Sequence, residues 1–263
     1  MVKYCNAACK KKHRSKHKKA CERRASEIYD EQLFKEIEPE ECPLCFLPMP
    51  IDAGQYAFML CCGKEICNGC IVAMYMREGG KNLCAFCRTP PESSDEECLK
   101  MDKGNGDGFF QLAGHYYDGD FGLPRDHQKA NELYLKAGEL GCARGYYNLG
   151  HSYHEGTGVE ADKKKAKYYM ELAAIGGSID AMHNLGCEEF DEGNFDRAYK
   201  HFIIAAKAGS KESLVTVRDG FTKGGITKDE YEDTLRAYHE RRMEMKSDTR
   251  DKAAEEARLA RQR

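Results

Sequence analysis

Between residues 42 and 87 the chain carries eight cysteines in the order C-x2-C-x15-C-C-x4-C-x2-C-x13-C-x2-C: Cys42, Cys45, Cys61, Cys62, Cys67, Cys70, Cys84 and Cys87. Each C-x2-C pair offers two thiolates from one tight turn, with backbone amides free to stabilise the sulfur charge, and Zn2+ takes four such soft donors in a tetrahedron. Eight thiols therefore make two four-coordinate sites. A stretch of about 46 residues buries too little apolar surface to fold alone, whereas structural zinc contributes on the order of 10 kcal/mol or more to folding. The competing reading, eight buried or redox cysteines without metal, would need three C-x2-C pairs at these separations by chance.

Composition divides the rest of the 263 residues. Eleven of the 14 cysteines precede residue 90, and only Cys98, Cys142 and Cys187 follow, in a region rich in Ala, Gly, Tyr, Lys and Glu. Two kinds of architecture are joined. No run of 18 apolar residues occurs, and the opening MVKYCNAACKKKHR lacks the hydrophobic stretch of a signal peptide. The expectation is an intracellular protein, cytoplasmic or nuclear, with no membrane contact, where paired thiols persist as metal ligands and not as disulfides.

Net charge is only -3, but the first 24 residues hold ten Lys or Arg against the single acid Glu22. The run KKKHRSKHKK could touch nucleic acid or act as a nuclear address. No aromatic residue interleaves with it for base stacking. A solvated face of a small finger is the preferred reading, and nucleic acid is not the expected partner. No nucleophile and base constellation appears, so no catalytic residue is assigned.

The cysteine pattern resembles a RING finger of the all-cysteine variety, since Lys64 stands where the commoner pattern has a histidine and no histidine lies between His17 and His115. The resemblance implies that ligand pairs one and three share a zinc (Cys42, Cys45, Cys67 and Cys70) and that pairs two and four share the other (Cys61, Cys62, Cys84 and Cys87). Cys61 departs from the family, whose third ligand usually lies one residue further upstream. RING ubiquitin ligases dock a charged ubiquitin-conjugating enzyme and position its thioester. By resemblance the docking residues are Leu44, Phe46 and the run Ile71 to Met74, with Arg88 placed to bridge ubiquitin and the conjugating enzyme. Ala85 replaces a common proline, and the chain has no tryptophan for the helix position where many ligases use one.

Residues 4 to 21, with the spacing C-x3-C-x7-H-x3-C through Cys5, Cys9, His17 and Cys21, look like the second half of a MYND finger. The upstream half of that pattern is missing. Three explanations stand side by side: a start upstream of Met1, a metal-free remnant, or one zinc site closed by these four residues. The segment Glu22 to Ile37 carries Ile28, Leu33, Phe34 and Ile37 and is expected to form one helix before Pro39 stops it.

Beyond an acidic linker, a repeat of 36 to 37 residues is visible. Leu112, Leu149 and Leu185 start equivalent stretches, and Gly119, Gly156 and Gly193 end the first helix of each unit. In the second helices Ala130, Ala166 and Ala198 are equivalent, followed by Ala137, Ala173 and Ala205 and then by Gly141, Gly177 and Gly209. Small residues permit close helix contact, and glycine accepts the left-handed conformation at a helix end. Residues 146 to 177 resemble a Sel-1-like repeat, a relative of the tetratricopeptide repeat, and such repeats stack into curved arrays that bind proteins. The tyrosines at 116, 147, 153, 168 and 169 are read as core, and His151, His154 and His183 as solvated. Thr227 with Glu230 forms a capping-box pattern.

The expected fold is mainly α: a small zinc-bound α+β RING finger followed by an α-α solenoid of Sel-1-like repeats. The expected order is a partial MYND-type finger (1–24), helical linker (25–38), RING-type finger (39–89), acidic linker (90–105), repeats (106–141, 142–177 and 178–209), capping helices (210–240) and an exposed, charged helical tail (241–263). The expected cofactor is Zn2+. The expected partners are a protein on the repeats and a ubiquitin-conjugating enzyme on the finger, with a non-catalytic adaptor as the rival reading.

Overall fold

The computed structural model describes residues 18–52, 54–59, 61–81, 83–90 and 106–260. Two compact units divide the chain at Glu36 and Ile37. In the first, helix α1 (Lys18–Leu33) buries Cys21, Ala25 and Leu33. Its exposed side is held by Arg23 and Arg24 reaching Glu27 one turn on. The helix ends well before Pro39, because its last turn tightens: Lys35 N–H donates to Gln32 O, three residues back. Cys5, Cys9 and His17 lie outside the described residues.

The second unit begins with a small α+β segment. Strands β1 (Tyr56–Met59) and β2 (Lys64–Cys67) pair antiparallel, with Tyr56 opposite Cys67 and Met59 opposite Lys64. Helix α2 (Asn68–Arg77) follows β2 directly. Cys42, Ile66, Cys67 and Ala85 form its buried centre, and Leu44, Met49, Ile71 and Met74 pack around them. So few apolar side chains fit a segment stabilised by something other than a core.

The remaining described residues are helical, and six of the helices form three antiparallel pairs: α3 (Gly106–Asp118) with α4 (His127–Glu139), α5 (Ala143–Glu155) with α6 (Lys163–Ile175), and α7 (Ile179–Asp191) with α8 (Phe195–Lys207). Each second helix lies between two first helices, the stacking of a helical repeat solenoid. Ala130, Ala137, Ala173, Ala198 and Ala205 are 0% exposed and Ala166 is 5%, so the small residues sit where helices approach most closely. At Gly145 a Cβ would fall 2.5 Å from Tyr134 O; only glycine admits that backbone. Gly156 ends α5 with φ of 76°. Asp126, Asp162 and Ser178 cap α4, α6 and α7 by accepting from first-turn amides. The third pair keeps only residues 192–194 as its connection.

Helices α9 (Lys211–Thr222) and α10 (Lys228–Glu244) close the array. Val217 and Ile226 complete a core with Ala198, Phe202 and Ala206. Both arms of the Thr227 and Glu230 capping box are formed. Helix α11 (Asp248–Ala260) differs from the exposed tail that its charge pattern suggests. It packs on α2, and Met245, Arg250 and Ala253 are buried. The physical reason is that one face of this charged helix is small or can donate hydrogen bonds, and that face meets the cysteine segment. No described helix is long and apolar enough to cross a membrane.

Candidate metal centres

The loop after residue 41 is a hydrogen-bonded turn. Phe46 N–H donates to Cys42 O at 2.9 Å, and Cys42 N–H to Leu47 O at 3.0 Å. The last cysteine pair repeats this geometry, with Arg88 N–H on Cys84 O at 3.0 Å and Cys84 N–H on Thr89 O at 2.8 Å. In both turns the residue after the second cysteine is left-handed, φ 56° at Phe46 and 67° at Arg88. A non-glycine residue there costs about 1–2 kcal/mol. The third pair spans the end of β2 and the first turn of α2, and Cys61 and Cys62 sit at the turn joining the two strands.

These elements bring the eight thiols into two groups, Cys42, Cys45, Cys67 and Cys70 in one and Cys61, Cys62, Cys84 and Cys87 in the other, each with all four sulfurs within 4.8 Å of one another. The groups interleave along the chain, so each ties together segments that the other also holds. None of the eight is in a disulfide.

The donor set fits a tetrahedral dication. Zinc–sulfur bonds of about 2.3 Å imply sulfur–sulfur edges of about 3.8 Å. In the first group Cys42 and Cys70 are 3.9 Å apart and Cys45 and Cys67 3.8 Å. In the second, Cys62 and Cys84 are 3.8 Å apart, while Cys61 and Cys87 close to 3.3 Å. The tighter edge falls on Cys61, one of two adjacent residues serving one group.

The electrostatics point the same way. Burial resists charge at Cys42, yet the amides of Cys67, Cys45 and Leu44 pull its thiol down to about 7. Thr89, through its hydroxyl and amide, brings Cys87 to about 6. Burial and then neighbouring thiols push Cys61 and Cys70 up, and Cys62 up to about 11. Four thiolates so close repel one another, and a bound dication would remove that repulsion and deprotonate all four.

Leu44 and Met74 are half-buried against the same cysteine-rich centre. Phe46 is 72% exposed. Arg88 is half exposed but not free: its Nη2 lies 2.6 Å from Glu78 Oε1 at the end of α2. Three residues of this region escape a reading by motif. Phe86, inside the last pair, exposes its ring; Glu78 engages Arg88; and Arg250, from α11, donates to Cys45 Sγ at 3.4 Å. Phe86 was findable from its place between two ligands, but nothing in the charged sequence around Arg250 marks it.

The cysteine segment is also tied to the repeats. Arg144 Nη2 lies 2.6 Å from Glu65 Oε1 and 3.0 Å from Asp107 Oδ1, with its guanidinium over the Phe110 ring. The Glu65 contact is mainly ionic, since its geometry is poor for a directed hydrogen bond. A groove of about 510 Å3 runs between the second and third helix pairs, lined by His151, Met170, Asn184 and Cys187 among others. His183 accepts from or donates to Ser213 Oγ at 2.8 Å. Among the described residues, the two cysteine groups are the clusters able to hold a metal. Tyr153 and Tyr169 stack at 5.5 Å beside the first repeat's core.

Among curated proteins none matches the chain. Two solved structures are similar: a Sel1 repeat protein from Oxalobacter formigenes, at 24% identity over 68% of this chain and 73% of that one with a TM-score of 0.48, and a protective antigen of uropathogenic Escherichia coli displaying an SLR fold, at 23% identity over 66% of this chain and 37% of that one with a TM-score of 0.47. Residues 110–142, 143–178 and 179–210 match the family model of the Sel1 repeat, and the array is therefore three Sel1 repeats.

Proposed function

We propose that the chain is a zinc-dependent protein-interaction protein in which a RING-type finger docks a ubiquitin-conjugating enzyme while the Sel1 repeats hold a second protein, making it a ubiquitin ligase. The observation that carries this reading is the interleaved pair of four-thiol groups, with Zn2+ as the ion each would hold. Cys42, Cys45, Cys67 and Cys70 would hold one ion, and Cys61, Cys62, Cys84 and Cys87 the other. The metal's role is structural; no bond is made or broken by the finger, and its contribution to ubiquitin transfer is orientation of a thioester.

Two further features support a docking face. Phe46, just after the first cysteine pair, and Phe86, inside the last, expose aromatic rings, and exposed aromatics are typical anchors of protein interfaces. Phe46 does so from a left-handed backbone, a local cost that is common at functional positions. For the second protein, the groove between the second and third helix pairs offers both apolar and polar side chains.

One observation favours the rival reading, a non-catalytic adaptor. Arg88, the residue that would reach ubiquitin, is ion-paired with Glu78. The test is discharge of ubiquitin from a panel of charged conjugating enzymes. A ligase accelerates discharge with at least one of them. Arg88→Ala should slow the reaction with zinc content unchanged, because a planar guanidinium can bond two proteins at once and alanine cannot. Leu44→Ala should weaken docking by about 1–3 kcal/mol of lost apolar contact. Wild-type protein with both ions bound that accelerates no discharge would leave the adaptor reading in place.

A further inference from the structure

Arg250 of α11 reaches into the cysteine segment, and it is only 9% exposed. Its Nη1 donates to Pro48 O at 2.6 Å and to Met245 O at 2.7 Å; its Nη2 donates to Leu47 O and to Cys45 Sγ, both at 3.4 Å. It thus grips the backbone just after the first cysteine pair and the sulfur of that pair's second member. The third pair is met as well. A Cβ on Gly69, between Cys67 and Cys70, would fall 2.8 Å from Arg250 Cγ and 2.9 Å from its backbone nitrogen. Glycine at 69 is what lets α11 lie this close to α2. Both halves of the first thiol group are therefore in contact with one residue of the C-terminal helix. Among the described residues, the hydrogen bonds of Arg250 include none to Cys61, Cys62, Cys84 or Cys87.

We infer that α11 is the retaining element of the first metal centre, and that Arg250 is a positioning residue which slows metal loss from Cys42, Cys45, Cys67 and Cys70 but not from the other group. This rests on the metal reading above. Four thiolates around a dication leave a net charge of -2, and a buried guanidinium beside one sulfur offsets part of it without competing for the metal. The carbonyl bonds add a steric effect, because they fix the turn in which Cys42 and Cys45 must stay together for the site to remain closed. Coupling is reciprocal: if α11 holds the metal, the metal holds α11. Docking of the C-terminal helix and occupancy of this one centre then rise and fall together.

The experiment uses the full chain loaded with Zn2+ and challenged with excess chelator. Pulsed alkylation and peptide mass spectrometry report which cysteines become reactive. In wild type both groups should be protected. In Arg250→Met the first group should lose metal about 10–100-fold faster, if the 10–100-fold loss of affinity that follows removal of a partner of a metal ligand falls on release, with release from the second group unchanged. Arg250→Lys, which keeps the charge but not the fork of donors, should fall between. Gly69→Ala should act as Arg250→Met does, because its Cβ would meet Arg250 Cγ at 2.8 Å and its backbone nitrogen at 2.9 Å and so push α11 away with its arginine chemically intact. Amide exchange over residues 248–260 should speed up when the first centre is emptied.

Equal release from the first group in wild type, Arg250→Met and Gly69→Ala overturns the inference. So does equal acceleration of both groups, which would mean general loosening. A chain that takes up no zinc overturns the metal reading and this inference together, whereas two retained ions with unaltered kinetics overturn the inference alone.

Discussion

Replacing Arg144 by methionine tests whether the finger and the repeats are one structure. The perturbation removes a cation that faces Glu65 at 2.6 Å and Asp107 at 3.0 Å and leaves a methionine of similar length over Phe110. The Arg144 side chain is 31% exposed and that of Glu65 16%. Breaking a fully buried pair costs about 3–5 kcal/mol; partial access of water to Arg144 lowers the expected cost to about 2–3 kcal/mol. Urea denaturation of the zinc-loaded chain, followed by far-ultraviolet circular dichroism, measures it. In a Glu65→Gln background, where only the more exposed Asp107 still faces the lost cation, the same change should cost about 1 kcal/mol less, a coupling detectable by a double-mutant cycle. The pH dependence follows from Glu65. Burial raises its carboxyl above the ordinary range while Arg144 opposes that rise. Without Arg144 the folded-state value climbs further above the unfolded one, so the folded form binds the extra proton and its stability falls as pH rises through that value. The deficit of Arg144→Met should therefore grow as pH rises from the ordinary carboxylate range through the raised folded-state value of Glu65. A cost within about 0.5 kcal/mol of zero together with an additive cycle, or a deficit that grows toward low pH, would refute the reasoning.

Native mass spectrometry should find two Zn2+ per chain, one for each thiol group, and Cys67→Ser should reduce the count by one because three thiolates forfeit much of a binding energy on the order of 10 kcal/mol. A third ion would place zinc on Cys5, Cys9, His17 and Cys21, and an absence of zinc would remove the finger assignment. Gly145→Ala should lower the melting temperature, since its Cβ would meet Tyr134 O at 2.5 Å and the Ala137 Cβ at 2.8 Å, an overpacking worth about 1–3 kcal/mol; an unchanged melting temperature would contradict the close approach of α4 and α5.

The repeats and the thiol groups were legible because their physics is local or periodic. Ala130 and Ala137 recur in the next two units, at equivalent positions of the second helix, and burial at all six places follows from one geometric need, close packing of helix pairs. The Thr227 and Glu230 box was legible for a like reason, its two bonds spanning a single turn. The cysteines announce themselves by spacing. The grouping of Cys42 with Cys67 and not with Cys61 came from resemblance to a family, since spacing alone permits other pairings. The expected single helix ahead of Pro39 is present but stops at Leu33, short of Ile37, because Pro39 sets only the latest place where a helix can stop.

The docked C-terminal helix was illegible for a reason that bears on how such chains should be read. From Glu240 onward the sequence is mostly charged residues and alanine, a pattern that periodicity assigns to solvent. Yet an arginine can be buried without an apolar face if carbonyls and a sulfur take up most of its donors, and the two Nη atoms of Arg250 find Leu47 O, Pro48 O, Met245 O and Cys45 Sγ, with Nε alone buried without a hydrogen bond. All of those partners but Met245 O lie in or beside the hydrogen-bonded turn that brings Cys42 and Cys45 together. The cue therefore lies some two hundred residues from the residue it explains. It is also written in Gly69, whose missing side chain has no use in a ligand pair considered alone and acquires one only when α11 arrives beside it. The finger and the tail thus define each other, and a fragment ending at the last cysteine pair would lack the residue that holds its first centre closed.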